Sequence, residues 1–190
     1  MQRFAETAVE FPLADPPRRV PPLDLGVIGT VADPGPTATA VDLATAVADF
    51  EALVATAGDL AAPMTLAVPP LVVTAATAEP GDAERIADLL ADDELLVLPA
   101  VPFDVSSAAA AERVDAFLTQ LVAGEEALID ALPSVPVRRD VWLAVQPLSG
   151  PGAQVLRDAG VRHVVAQDAL SVYLHPDNPV RDLSMEQLRA

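Results

Sequence analysis

The segment from Val141 to Ala166 reads VWLAVQPLSGPGAQVLRDAGVRHVVA, and it decides the fold class. Its pattern is an apolar strand up to Pro147, a turn around Ser149–Gly152, a short helix that ends at Gly160, and a second apolar strand. Strands that are apolar on both faces and are separated by a helix are typical of a parallel sheet covered by helices. The sequence therefore predicts an α/β fold.

The same alternation extends towards the N-terminus, and the whole chain predicts five strands connected by four helical crossovers. The predicted strands are Leu23–Ile28, Met64–Val68, Leu95–Leu98, Val141–Pro147 and Val161–Ala166. The predicted helices are Ala40–Ala57, Pro80–Ala91, Ser106–Leu132 and Ala153–Ala159. We expect Gly58 to cap the first helix, Pro80 to stand in the first turn of the second, and Ser106 or Ser107 to cap the third.

Five strands are fewer than the eight of a closed (β/α) barrel. The prediction is a mainly parallel, five-stranded sheet that forms a partial or incomplete barrel, and the alternative is an open doubly wound sheet. The α/β domain is expected over residues 23–175. Residues 1–22 are proline-rich and are interpreted as a lead-in or linker, and residues 176–190 as a C-terminal tail.

Composition excludes several classes of function. The 190 residues carry 28 acidic and 11 basic side chains, a net charge of -17, which argues against nucleic-acid and anionic-membrane partners. No run of about 18 apolar residues lacks a proline or a charge, so we expect no direct membrane insertion by this segment. The absence of cysteine removes disulfides, thiolate metal sites and cysteine nucleophiles.

Ligands of parallel α/β proteins bind at the carboxyl ends of the strands. The polar residues best placed there are Asp104, Gln146 and Asp168. Asp104 and Asp168 are the candidate catalytic residues, and Gln146 and Asp24 are the candidate ligand-binding residues. Each aspartate also has a structural interpretation: Asp104 begins a helix-capping turn, Asp168 ends a strand, and Asp24 faces solvent at a sheet edge.

Other site motifs are missing. The two histidines, His163 and His175, match no metal-binding spacing, so no metal is predicted. No strand is followed by a Gly-x-Gly-x-x-Gly or Walker-type loop, so no nucleotide cofactor is predicted. The Ser149–Gly152 segment is a strand-to-helix turn and not a Gly-x-Ser-x-Gly nucleophile elbow.

Three segments carry a family resemblance: MTLAVPP at 64–70, LVLPAVPFD at 96–104, and Trp142–Asp168 with its Leu-x-x-Ala-Gly-Val joint. Together they resemble a large actinobacterial cell-envelope protein family of unknown function. More distantly, they are similar to polysaccharide-deacetylase and glycoside-hydrolase-like (β/α) barrels. The resemblance covers about residues 20–175.

The resemblance implies an exported, extracytoplasmic domain of a larger membrane-anchored protein, whose partner would be an envelope glycan or an envelope protein. Deacetylases need an early Asp-Asp pair, a histidine metal pair and an Arg-Pro-Pro-Tyr-like strand end. Here Gly29–Thr30 stands in place of the Asp-Asp pair, Gln146–Leu148 stands in place of the Arg-Pro-Pro-Tyr-like strand end, and the histidine pair is missing. The leading hypothesis is therefore a non-catalytic binding or scaffold domain.

Two alternatives remain open. The first is a hydrolase of a cell-envelope polysaccharide that uses Asp104 and Asp168, which would need carboxyl groups about 5 to 9.5 Å apart. The second is a cytoplasmic small-molecule enzyme with a doubly wound sheet, which only the fold favours.

Overall fold

Strands and helices alternate along the chain in the computed structural model, which describes residues 27–35, 37–60 and 62–166. The strands are β1 (Val27–Thr30), β2 (Met64–Ala67), β3 (Glu94–Leu96), β4 (Val137–Arg138), β5 (Val141–Ala144) and β6 (His163–Ala166). The helices are α1 (Ala40–Asp59), α2 (Pro70–Ala76), α3 (Asp82–Leu89), α4 (Val105–Ala110), α5 (Val114–Ala131) and α6 (Gly150–Asp158). The predicted linker, 1–22, and tail, 176–190, lie outside the described residues.

All described strand pairs are parallel. Strands β1, β2, β3 and β4 form one sheet in chain order, and β5 pairs with β6 in a second sheet. The predicted α/β class with parallel strands is confirmed. A doubly wound sheet is defined by a point at which the strand order reverses. The described strands of the four-stranded sheet follow chain order without such a reversal.

The prediction of one five-stranded sheet is wrong, because the segment from Val137 to Ala144 changes its partner part-way. Its first part pairs with β3, and its second part pairs with β6. Between them, the Asp140 carbonyl accepts hydrogen bonds from the backbone N–H groups of Arg162 and His163, at 2.8 and 2.9 Å. The result is a four-stranded sheet and a two-stranded sheet.

The main hydrophobic core lies on one face of the four-stranded sheet. Helices α1, α2, α3 and α5 contribute to it, and Leu66 of β2 and Leu95 of β3 point into it. Because side chains alternate along a strand, Thr65 and Glu94 lie on the opposite face, where they are half-buried. Parallel strands that follow chain order through right-handed crossovers place their helices on one face in this way.

Helix α1 shows why these residues form a helix. Thr39 and Asp42 make a capping box, in which the Asp42 N–H donates to Thr39 Oγ1 and the Thr39 N–H donates to Asp42 Oδ2. The buried stripe recurs every three to four residues, at Ala46, Phe50, Val54 and Ala57. The helix continues through Gly58 and has its C-cap at Leu60, so the predicted glycine cap is wrong.

The predicted helix over Ser106–Leu132 is two helices, α4 and α5. Glu112 adopts a left-handed conformation, with φ at 55°, and this turn separates them. The cap of α4 is Asp104, not Ser106 or Ser107. Gly124 lies inside α5 and does not interrupt it.

Two further differences involve prolines. Helix α2 is not among the predicted helices, because a Pro-Pro pair is more typical of a turn than of a helix. Pro70 occupies the first helical position, where its missing N–H leaves no internal hydrogen bond unmade. Pro80 precedes α3 instead of standing in its first turn, because the N-cap is Gly81 with φ at 90°.

A second hydrophobic core supports the region after β3. It joins Val105 and Ala108 of α4, Phe117 and Leu121 of α5, and Leu156 of α6. Helix α5 contributes to both cores, so it connects the four-stranded sheet to the layer around β5.

Candidate functional site

A cavity of about 620 Å³ lies at the carboxyl ends of β1, β2, β3 and β5. We refer to it as the strand-end cleft. Its lining residues are Thr30–Asp33, Ala67, Pro69, Leu98–Pro99, Pro102–Ser106 and Trp142–Leu148. Ligand sites in proteins commonly have volumes of about 300–1,000 Å³, so the cleft has the size of a small-molecule site.

The lining is mainly apolar, with a few polar side chains. Among the described lining residues, those with polar side chains besides the Trp142 indole are Thr30, Asp33, Asp104, Ser106 and Gln146. No described lining residue is basic. A cleft of this composition offers ring faces and hydrogen-bonding groups to a ligand, together with two negative charges.

Asp104 lines the cleft and also caps α4. Its Oδ2 atom accepts a hydrogen bond of 2.7 Å from the Ser107 N–H. Hydrogen bonding from the Ser107 side chain, opposed by desolvation and assisted by the backbone of Ser107 and Ser106, lowers the pKa of the Asp104 carboxyl. Asp104 is therefore an ionised acceptor near neutral pH and is poorly suited to the role of a general acid.

Gln146 lies on the wall that follows β5, where it is exposed. The structure thus brings two of the sequence-predicted site residues, Asp104 and Gln146, to one cleft. Asp24 and Asp168 lie outside the described residues. The pairing of Asp104 with Asp168 therefore stays a prediction.

Asp33 is a lining carboxylate that the sequence analysis missed. It stands three residues after β1, and its Oδ1 atom accepts a hydrogen bond of 2.6 Å from the Gly35 N–H. Its sequence by itself predicts a turn and no site, since an aspartate before Pro-Gly is common in turns. Its position just beyond a strand end was the signal that could have identified it.

Ser106 connects two walls of the cleft. Its Oγ atom accepts a hydrogen bond of 3.0 Å from the Ser149 N–H and lies 3.4 Å from the Pro147 carbonyl oxygen, to which it donates. Ser149 in turn caps α6 by accepting from the Gly152 N–H. This chain of contacts holds the start of α4 against the loop between β5 and α6.

Aromatic packing fixes the apolar side of the cleft. Trp142 meets Phe117 edge-on, with ring centroids 5.8 Å apart, and Phe103 lies 6.3 Å from the same Phe117 ring. Trp142 and Phe103 both line the cleft, while Phe117 is fully buried. The rings of Trp142 and Phe103 therefore pack against Phe117, a residue of the second hydrophobic core.

A second polar cluster lies on the sheet face opposite the main core. Arg138 donates to Asp140 through Nε and Nη2, at 2.9 and 2.7 Å, and to Glu94 through Nη1, at 3.0 Å. Thr65 donates to the same Glu94 carboxylate at 2.8 Å. Hydrogen bonds from Arg138 lower the pKa of Asp140, and those carboxylates raise the pKa of Arg138. None of these residues lines the strand-end cleft.

The chain matches no protein-family model, no curated protein and no solved structure. In the described part of the chain, no group of three or more His, Cys, Asp or Glu residues is arranged to hold a metal ion. None of the described helices is both long enough and apolar enough to span a bilayer.

Proposed function

We propose that the domain predicted over residues 23–175 is a non-catalytic binding domain of an exported cell-envelope protein, and that its ligand is an envelope glycan. The observation that carries the proposal is the strand-end cleft. Sugars combine apolar ring faces with hydroxyl groups, and this cleft combines the rings of Trp142 and Phe103 with the polar groups of Thr30, Ser106 and Gln146.

We also infer that the fold is part of a (β/α) barrel. The sequential order of β1 to β4, with helices on one face, supports this inference. After the bend between β4 and β5, parallel pairing in chain order continues from β5 to β6, although the two sheets are separate. In such a barrel, the carboxyl ends of the strands are the functional end, which is where the cleft lies.

The non-catalytic part of the proposal rests on Asp104. Glycoside hydrolysis with paired carboxylates requires one carboxyl group to be protonated, so that it can act as a general acid. The lowered pKa of Asp104 and the hydrogen bond that it accepts from the Ser107 N–H both favour its ionised form. Asp104 is thus better suited to bind a ligand than to protonate a leaving group.

A carboxylate-dependent polysaccharide hydrolase is the second candidate, since Asp33 and Asp104 line the same cleft. Asp104 would serve as the nucleophile or base, and another carboxyl group would have to serve as the acid. Turnover of an oligosaccharide that Asp104→Asn abolishes would establish this candidate and overturn the non-catalytic proposal.

The test measures glycan binding by isothermal titration calorimetry with tetrasaccharides of N-acetylglucosamine, glucosamine and galacturonic acid. Ala32→Trp fills the cleft from an exposed lining position, and Ala91→Trp adds the same side chain at an exposed position outside the cleft. We expect binding of at least one tetrasaccharide that Ala32→Trp removes and Ala91→Trp retains. Binding by none of them, or equal binding by both variants, would overturn the proposal.

A further inference from the structure

We propose that the strand-end cleft selects a sugar bearing a protonated amine over neutral and anionic sugars. This inference rests on the proposed function, and it assigns the ligand to a chemical class. The two ionisable side chains among the described lining residues are Asp33 and Asp104. None of the arginines that the structure describes lines the cleft, and neither does His163.

Both carboxylates are held in place by the backbone. Asp33 accepts the N–H of Gly35, and Asp104 accepts the N–H of Ser107. A carboxylate has about four lone-pair sites, so each group can accept these bonds and still accept a donor from a ligand. The negative charges are therefore preorganised, and a ligand ammonium need not order them on binding.

The surroundings strengthen this charge preference. A ligand that packs against the apolar lining of Pro69, Pro99, Phe103 and Trp142 would displace water beside the half-buried Asp104 and so strengthen its charge interaction with that carboxylate. An anionic sugar would meet two like charges and no described cation in the lining, which disfavours its binding. The net charge of -17 adds a long-range attraction for cations and a repulsion for anions.

Asparagine variants test the charge without removing the local structure. Asparagine serves as a helix N-cap as well as aspartate does, and it also accepts the hydrogen bond of an Asp-type turn. The double variant Asp33→Asn/Asp104→Asn therefore keeps both backbone contacts and removes both charges. The matched control is Asp42→Asn, which removes a charge at the N-terminus of α1, outside the cleft.

The experiment compares the three tetrasaccharides by calorimetry at mildly acidic pH and moderate salt concentration. We expect the glucosamine tetrasaccharide to bind the wild-type protein about tenfold more tightly than the N-acetylglucosamine one, and the galacturonic acid one to bind most weakly. The double variant should lose this preference, so that it binds the glucosamine and N-acetylglucosamine tetrasaccharides about equally. Asp42→Asn should keep the preference.

Two results would overturn the inference. One is that the wild-type protein binds the neutral or the anionic tetrasaccharide as tightly as the cationic one. The other is a cationic preference that survives in the double variant, which would mean general attraction to an acidic surface. Neutral-sugar binding that Ala32→Trp removes, without any cationic preference, would contradict this inference alone. Failure of all three sugars would instead contradict the proposed function.

Discussion

Gly124 packs so closely against the backbone of Leu98 that no side chain fits between them. A Cβ atom at position 124 would overlap the Leu98 carbonyl oxygen and lie 2.9 Å from the backbone nitrogen of Ala100. The Ala100 N–H donates a hydrogen bond of 2.8 Å to the Gln120 carbonyl of the same helix. The segment after β3 is thus fastened directly to α5, and Leu98 and Pro99 of this segment line the cleft.

Replacing Gly124 with alanine should destabilise the protein. The added methyl group meets backbone atoms, which cannot rotate away as a side chain can, so we expect a loss of about 1–3 kcal/mol in the free energy of unfolding. Gly150→Ala is the control, since nothing lies within 4 Å of a Cβ there. Urea denaturation measures both variants. Equal stability of the two would show that α5 does not approach the strand end so closely.

The cap of α4 gives a second prediction. Asp104→Ala removes the acceptor of the Ser107 N–H and should lower stability by about 1 kcal/mol, whereas Asp104→Asn keeps an acceptor, loses only the charge, and should cost less. Because the pKa of Asp104 is lowered on folding, its charge stabilises the fold above the unfolded-state pKa. That contribution is lost as pH falls through the lowered, folded-state pKa.

Urea titrations of wild type and Asp104→Asn at neutral and strongly acidic pH measure this dependence. The wild type should lose its pH-dependent advantage over Asp104→Asn in acid. If the stability difference between wild type and Asp104→Asn grew as pH fell, the N-cap role of Asp104 and its lowered pKa would both be contradicted.

The fold class could be predicted because it depends on local patterns. Apolar runs such as Met64–Ala67 and the helical period of α1 are visible in the sequence, and they lie close to where they were expected. The break between the two sheets could not be predicted in this way. It depends on Arg138 and Asp140 meeting side chains and backbone from β3 and β6, which are distant in the sequence.

The site could be predicted in part for the same reason. Because ligands of parallel α/β proteins bind at strand ends, the sequence predicts Asp104 and Gln146 as site residues, and both line the cleft. Asp33 was missed because its turn-forming sequence has a sufficient local explanation. The division of the predicted helix at Glu112 was also missed, since a non-glycine residue with positive φ has no sequence signal here.

Asp93 leads to a third prediction. It is a buried residue, 5% exposed, and its Oδ1 atom accepts a hydrogen bond of 2.6 Å from the Met64 N–H at the start of β2. Asp93→Ala would leave that buried N–H without its partner, which costs about 1–3 kcal/mol. Asp93→Asn retains an acceptor oxygen and should lose less.

Hydrogen exchange at the Met64 amide gives the local measurement, and urea denaturation gives the global one. Asp92→Ala is the control, because Asp92 is the exposed neighbour of Asp93. We expect faster exchange at Met64 in Asp93→Ala only. Unchanged exchange in that variant would mean that another group satisfies the Met64 N–H.

The Arg138 cluster gives the last prediction. Arg138 connects Glu94 of β3 to Asp140 at the bend, and Thr65 of β2 binds the same Glu94 carboxylate. Arg138→Gln should therefore lower the urea midpoint more than Arg85→Gln does. Arg85 also bridges two carboxylates, but it joins helices at an exposed site.

The pH dependence separates this cluster from a general charge effect. The pKa of Asp140 is lowered by Arg138 from its ordinary value of 3.8, so the stabilisation is present above that value. It is lost as pH falls through the lowered pKa, and the difference between wild type and Arg138→Gln should shrink there. An equal midpoint loss in both variants, or a difference that persists in strong acid, would show that the bend between β4 and β5 does not depend on the Arg138–Asp140 pair.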